Sequence, residues 1–475
     1  MSAGPGGAGE GAGGAGAPEI AAWLDAAACP AERPPLAAMA ATTRELHAAI
    51  DAHARRAGVP YLHPSDPTVQ LDLLGSARVV AWQEGKGELM FLGEGCWSEL
   101  PHLYARYGTT LTGRLLARLR ELEQAQAVLL CDSGMQATAL VLDALMAPGG
   151  HAVLMRQVYN KTRVYLEWLA QRLGGAVTIV DDGDHAALAA AIRAETRLVY
   201  AETYTNPLMR AQDLGALPRL VAEGRRRAPG LKLVIDSTIA TPWGLRRPLL
   251  DAGVDVVVAS GTKALGGQDR DLSGYVATRD PSLGNAVMDL VAMRGGILDW
   301  RRAAAIAEGL DAAPAAHARR CDGATRVAAF LAAHPKVSEV FHPSLASHPD
   351  AAAIARDYVR PGSIVSFRVA GADEERTRHV ADVLATCVVV RYALSFDGLT
   401  TKVNHHKTVS EYFTPADQLA RNGFDRLIRL AVGLEDPDDL IAALNWTLHH
   451  ADAVTAADVA AWQRTRAADL GLPPA

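Results

Sequence analysis

Residues 254–276 read VDVVVASGTKALGGQDRDLSGYV. An unbroken apolar run ends in Ser260-Gly261-Thr262, a lysine follows at once, and a loop of small residues leads to Gly274. Desolvating a lone ammonium is unfavourable. An amine set at the end of a buried strand therefore reaches solvent, or it is an amine whose proton leaves readily. Upstream the same design repeats. AVLLC, HAVLM, AVTIV, RLVYAE and KLVID are short apolar runs separated by helical patterns, and SGYVAT follows the quoted lysine loop. Continuous apolar runs alternating with helices predict a mostly parallel sheet with helices on both faces. In such sheets ligands bind outside the carboxyl ends of the strands, so the residues after each run carry the functional reading.

Those residues make chemical sense together. Asp132-Ser133-Gly134-Met135 follows AVLLC and opens a helix, whose N-terminal amides suit a phosphate. Tyr159 follows HAVLM and offers a ring for stacking. Asn206 lies in the turn after RLVYAE, Asp236 ends KLVID, and Ser260, Thr262 and Lys263 close the series. Taken singly, Asp236 reads as a turn residue, Tyr159 as a core aromatic and Lys263 as a surface lysine. Phosphate donors, a stacking ring, a carboxylate and a lysine in this order fit pyridoxal 5′-phosphate. The amine forms the Schiff base, and the carboxylate holds the pyridinium proton so that the ring is an electron sink.

Composition sets the frame. The 475 residues exceed one ordinary core and predict two globular domains with extensions. With 49% apolar and 21% charged residues and a net charge of -6, nothing suggests nucleic acid or an acidic membrane as partner. The basic run Arg225-Arg226-Arg227 reads as a solvated helix end. Five cysteines (Cys29, Cys96, Cys131, Cys321, Cys387) without CxxC pairs suit reduced thiols rather than disulfides or a zinc site, and Cys131 reads as a buried small hydrophobe. No apolar run approaches a membrane span and no basic leader precedes Arg33, so a cytoplasmic location is expected.

Residues 1–17, almost all Gly and Ala, predict a disordered tail. GAGEGAGG within it matches a dinucleotide fingerprint only by letter, because no strand precedes it. Residues 18–113 form an N-terminal extension with one helix over ATTRELHAAIDAHARRAG, residues 114–313 a large cofactor-binding domain, and residues 314–475 a smaller C-terminal α/β domain. RLLARLRELEQ reads as an amphipathic helix. In the last region VSEVFHP, SIVSFRV, CVVVRYAL and DRLIRLAVG are strand candidates. EERTRHVADVLA and DPDDLIAALNWTL are helices, the latter capped by Asp436 or Asp438.

The motifs together resemble the Cys/Met-metabolism family of pyridoxal-phosphate enzymes, over about residue 104 to 450. Ser260-Gly261-Thr262-Lys263 is similar to the family's S-x-T-K, DSTIATP to D-N-T-x-A-T-P, SGMQA to S-G-M-x-A, VYNKT to L-Y-G-x-T, and ETYTNP to E-S-P-x-N-P. LYARYG resembles Y-S-R-Y-G, and DRLIRLAVGLED resembles L-x-R-L-S-V-G-x-E-D. The resemblance implies a fold-type-I transferase whose Lys263 holds the cofactor. Ser260, Thr262, Gly134 and Met135 would contact its phosphate, Asp236 its ring nitrogen, Tyr159 its face and Asn206 its 3-oxygen. Tyr104 and Arg106 would reach the neighbouring subunit's phosphate, which implies a homodimer as the minimal active unit and a homotetramer as the full assembly. Arg429, helped by Ser395, would clamp the carboxylate of a small amino acid substrate.

The implied activity is γ-replacement or γ-elimination through a Lys263 Schiff base. β-elimination at a C–S bond and a catalytically silent binding protein of the same fold are the alternatives; a dehydrogenase lacks a glycine fingerprint after its first strand. Several positions depart from the family pattern: Gly267-Gln268-Asp269-Arg270 replaces G-H-x-D, Thr400 stands in place of a common glutamate, Tyr204 replaces a small residue or proline, and Tyr107-Gly108-Thr109-Thr110 lacks the N-P-T continuation. They bear on substrate choice. His405 and His406 follow on the same loop and are expected to face solvent rather than bind a metal, since no third ligand is apparent.

Overall fold

The computed structural model describes residues 35–45, 106–266, 268–412 and 414–472. Seven strands, β1 (Ala127–Cys131), β2 (His151–Met155), β3 (Ala176–Val180), β4 (Thr196–Glu202), β5 (Lys232–Asp236), β6 (Val256–Ala259) and β7 (Gly274–Thr278), build one sheet in the order β1-β7-β6-β5-β4-β2-β3. All neighbours run parallel except β7, which is antiparallel to both β1 and β6. The apolar runs read from the sequence are these strands. β2, β6 and β7 are buried along their whole length, which is why they show no alternation. AVTIV is the exception, mostly half-exposed, because β3 ends the sheet and one flank has no neighbouring strand among the described residues.

The connecting helices begin where polar residues can cap them. Thr109 and Thr112 form a capping box before helix Thr110–Glu123, and Ser133 accepts the Gln136 N–H at the start of helix Gly134–Leu145. Their apolar faces join the sheet in one continuous core that also takes in Cys131, a buried free thiol as its setting predicts.

A second sheet of five strands has its own core. Its strands are β8 (Val337–Phe341), β9 (Ile364–Val369), β10 (Val390–Tyr392), β11 (Thr401–His405) and β12 (Ile428–Ala431), in the order β10-β11-β12-β9-β8. Only β10 and β11 are parallel. Asp436, not Asp438, caps helix Pro437–His450, with Pro437 at its first position. Three features differ from the sequence reading. β11 (TKVNH) lay inside what reads as a loop, CVVVRYAL supplies only a three-residue strand, and a further helix, Ala456–Asp469, follows the one expected to be last. TKVNH has a single apolar residue, Val403, yet is buried throughout, so composition hides it.

Residues 35–45 pack on this smaller sheet's side. Met39 joins its core, Asp436 N–H donates to Thr43 Oγ1 (3.0 Å), and Ala40 N–H donates to Asp439 Oδ2 (3.0 Å). Residues 41–45 are helical, and the rest of the helix expected over 41–58 lies outside the described residues.

Candidate active site

A cavity of about 430 Å³ opens at the carboxyl ends of the large sheet's strands, with Leu394, Phe396, His406 and Arg429 from around β11 and β12 of the smaller sheet on its opposite wall. Its size suits a small organic ligand. Ser133, Gly134, Met135, Ser260 and Thr262 line one end. Two glycines make this end possible. A Cβ on Gly134 would lie 2.6 Å from Ser260 Cβ, and one on Gly274 would lie 2.7 Å from Gly134 Cα. Only glycine lets the three loops touch, so the free amides of helix Gly134–Leu145 come into the cleft beside Ser260. Thr262 is already engaged: its hydroxyl donates to Ser273 O (3.1 Å) and accepts from Ser273 N–H (3.0 Å).

At the cavity floor two carboxylates end adjacent strands. Glu202 of β4 is the register partner of Asp236 of β5. Asp236 Oδ1 accepts from Thr238 N–H (2.8 Å), and Tyr200 OH points to Oδ2 at 3.4 Å. Glu202 Oε1 accepts the backbone N–H of Tyr159 (2.5 Å). Burial raises the Asp236 pKa against its hydrogen bonds to Thr238 and Tyr200, and raises that of Glu202 further, with the charge of Asp236 adding. Among the described residues neither carboxylate forms an ion pair. The floor is short of one positive charge, and a protonated ring nitrogen would supply it.

Lys263 stands between the two walls. Its Nζ donates to Ser395 Oγ (2.7 Å) and lies 4.8 Å from the centre of the Phe396 ring. Burial lowers its pKa to about 8; Asp397 opposes the shift and Arg429 assists it. Near neutrality a useful fraction of this amine is thus unprotonated, which answers the placement of an amine at the end of a buried strand.

Arg429 of β12 is 2% exposed. Its Nη1 donates to Asn206 Oδ1 (3.3 Å), and its Nη2 donates to the carbonyls of Leu394 (3.0 Å) and Ser395 (3.1 Å). Burial draws its pKa down to about 10. Asn206, which precedes a cis peptide bond to Pro207, Ser395 and Arg429 therefore form one cluster. Tyr159, 48% exposed, sits at the N-cap of helix Asn160–Arg172 and lines the same cavity.

Ten of the twelve candidate residues meet here. Arg106 does not: it is exposed, donates to Ala292 O (3.2 Å) and lines a separate small pocket, while Tyr104 lies outside the described residues. The expectation of a solvent-facing histidine pair is overturned. His405 and His406 are both buried, because the segment before them is a strand rather than a loop. His405 is spent on Thr408 Oγ1 (2.7 Å) and Asp425 O (2.8 Å), whereas His406 lines the cavity. Among the described residues no group of three or more His, Cys, Asp or Glu side chains could hold a metal.

Sequence reasoning passed over Glu202, Phe396 and His406. It also missed a strap from the lysine loop to the smaller sheet. Lys402 Nζ meets Asp269 Oδ1 at 2.9 Å and also bonds Asp397 O, and Leu399 N–H donates to Asp269 Oδ2 (3.1 Å). Asp269 has φ 57 and Gly398 has φ 98, and a Cβ on Gly398 would collide with the Asp269 carboxylate. The signal for Glu202 was available: in parallel neighbours, acids at both strand ends fall side by side.

Known proteins resemble this chain in sequence and fold. Residues 95–449 match the family model described as Cys/Met metabolism PLP-dependent enzyme. The chain is 33% identical over 341 residues to cystathionine gamma-synthase 1, chloroplastic, of Arabidopsis thaliana, covering 71% of this chain and 58% of that protein. It is 31% identical over 349 residues to the L-methionine gamma-lyase of Fusobacterium nucleatum, covering 73% and 86%. The chain thus spans less than two thirds of the plant relative. Among solved structures it resembles the cystathionine gamma synthase of Xanthomonas oryzae pv. oryzae in complex with aminoacrylate and cysteine, with a TM-score of 0.68 and 28% identity over 74% of this chain and 89% of that one. A cystathionine gamma-lyase from Lactobacillus plantarum complexed with L-serine gives a TM-score of 0.67 at 27% identity, covering 74% and 88%.

Proposed function

The chain belongs to the Cys/Met metabolism PLP-dependent enzyme family, and from that premise we propose that it catalyses γ-replacement or γ-elimination on a small amino acid. The observation that carries this reading is Lys263, a half-buried amine whose pKa is lowered to about 8, placed between the acid floor and the Arg429 cluster.

In this reading the amides of Gly134 and Met135 with Ser260 and Thr262 would hold the phosphate of pyridoxal phosphate, Asp236 its ring nitrogen, Asn206 its 3-oxygen and Tyr159 its ring. When bound at Lys263, pyridoxal phosphate supplies an electron sink for charge that develops on the substrate's carbon chain. Arg429 fixes the substrate carboxylate, since a guanidinium with no acidic partner among the described residues needs an anion. Once the substrate's own amine has displaced it from the cofactor, the freed Lys263 Nζ would take the Cα proton and move protons along the substrate chain, steadied by Ser395 Oγ. Burial and Glu202 hold the Tyr159 phenol protonated, and it donates to the departing γ-substituent. Glu202 fixes the backbone of Tyr159 and keeps the floor acidic.

The exposed placement of Arg106, away from this cavity, supports its service to a neighbouring subunit together with Tyr104, with a homodimer as the minimal unit. A cytoplasmic location and a division near residue 313 into cofactor-binding and smaller domains belong to the same proposal.

The test is a substrate panel of O-acyl-homoserines, cystathionine, homocysteine and methionine, with and without a thiol, with products identified by mass. A thioether amino acid marks γ-replacement, and 2-oxobutyrate with ammonia marks γ-elimination. Pyruvate would replace the reading by β-elimination, and no turnover by a fully loaded enzyme would leave a binding protein.

A further inference from the structure

His406 is 1% exposed, lines the cavity, and has no hydrogen-bond partner among the described residues at either Nδ1 or Nε2. Its backbone is fixed, since its N–H donates to Leu427 O (3.0 Å) and His405 before it is still extended. Asn404 is the register partner of Arg429 across β11 and β12, so His406, two residues on, follows onto the face that Arg429 uses. The Phe424 ring packs edge-on against the imidazole at 5.5 Å and offers no acceptor. Burial, then the charge of Arg429, keeps the ring's pKa well below its usual value, so it is neutral, with one donor and one acceptor nitrogen.

Arg429 repeats the pattern. Its two terminal nitrogens are occupied by Asn206 and two carbonyls, yet its Nε is buried without a partner among the described residues. Among the described residues no carboxylate pairs with it. Buried donors in folded proteins are nearly always satisfied. Two unsatisfied donors, one of them on an uncompensated cation, in residues that line one cavity, describe the complement of a carboxylate, with two acceptor oxygens and one negative charge.

We propose that His406 is a substrate-binding residue, donating an imidazole N–H to the same amino acid carboxylate that Arg429 holds. The inference rests on the amino acid reading above and deepens it. The site selects a free carboxylate over an amide or ester through two donors of different charge. The neutral donor adds a hydrogen bond without adding a second buried cation.

The test uses holoenzyme loaded with pyridoxal phosphate, titrated with glycine and with glycinamide while the visible spectrum of the bound cofactor is followed. His406→Ala and His406→Phe should each weaken glycine binding roughly tenfold to a hundredfold, the worth of a hydrogen bond to a charged group. Glycinamide binding should be unchanged by either. His406→Gln, which restores an N–H, should recover part of the loss. With the turnover substrate, KM should rise while kcat changes little. His406→Phe keeps the ring against Phe424, so unchanged visible circular dichroism in that variant separates lost binding from a disturbed fold. Glycine binding of wild-type strength in both variants, or equal loss for glycine and glycinamide, overturns the assignment. If wild-type holoenzyme binds no amino acid at all, the failure lies instead with the proposed function.

Discussion

The two walls of the cavity are built by different rules. On the large-sheet wall, Asp236, Ser260 and Lys263 stand at or just past the ends of buried parallel strands, each fixed by its own strand and the next turn. On the small-sheet wall, Ser395, His406 and Arg429 come together through β11–β12 register, and an ion pair reaches back to the lysine loop. Local rules on one side and long-range ones on the other separate what chemistry needs from what holds it in place.

Changing the first wall should have the largest effect. Asp236→Asn keeps the shape and the Thr238 contact but removes the charge that favours a protonated ring nitrogen. We expect kcat to fall by roughly a hundredfold to a thousandfold, with KM little altered, as when a preorganised electrostatic partner is removed. Steady-state kinetics on the best panel substrate measure it. A loss under tenfold would mean that the two walls are less distinct than their geometry suggests.

Breaking the strap tests the second wall. Lys402 is buried and Asp269 is partly exposed, with side chains 8% and 39% accessible. Asp269→Asn leaves a buried cation uncompensated, while Lys402→Met leaves only an accessible carboxylate. We expect Asp269→Asn to cost about 2–4 kcal/mol in urea unfolding and Lys402→Met clearly less. Equal losses would show that the pair acts through packing alone.

A third change works from behind the large sheet. Glu123 is buried and its Oε1 accepts from Tyr275 OH (2.6 Å) on β7. Burial raises its pKa from 4.5 to about 7, against that hydrogen bond. A raised acid pKa means that the folded state holds the proton more tightly. Its stabilising share is therefore full below about pH 4.5 and is lost as pH rises through about 7. Glu123→Gln should flatten that part of the stability profile in urea unfolding by roughly 3 kcal/mol, with no effect on kcat.

How much was legible in the sequence follows the same division. A strand followed at once by Ser-Gly-Thr-Lys, or by Asp-Ser-Thr, carries its geometry with it, so the phosphate end, Asp236 and the lysine could be read from consecutive letters, while Glu202 beside Asp236 could not. Arg429 was readable through its motif, but its partners were not, because Asn206 lies 223 residues away in the chain. β11 was invisible because TKVNH has little apolar character. Its burial comes from Lys402 finding Asp269 and His405 finding Asp425 O, neither of which is a local pattern. Taking that strand for a loop is what turned His406 outward on paper.

The most direct measurement concerns Lys263. The protein is incubated with pyridoxal phosphate across a pH series, reduced with borohydride, digested and mapped by mass. The account predicts a phosphopyridoxyl group on Lys263 and on no other lysine, a rate of attachment that rises with pH and levels off above about 8, and a colourless, inactive Lys263→Ala variant. Label on a different lysine, or a Lys263→Ala protein that keeps both colour and turnover, would contradict it.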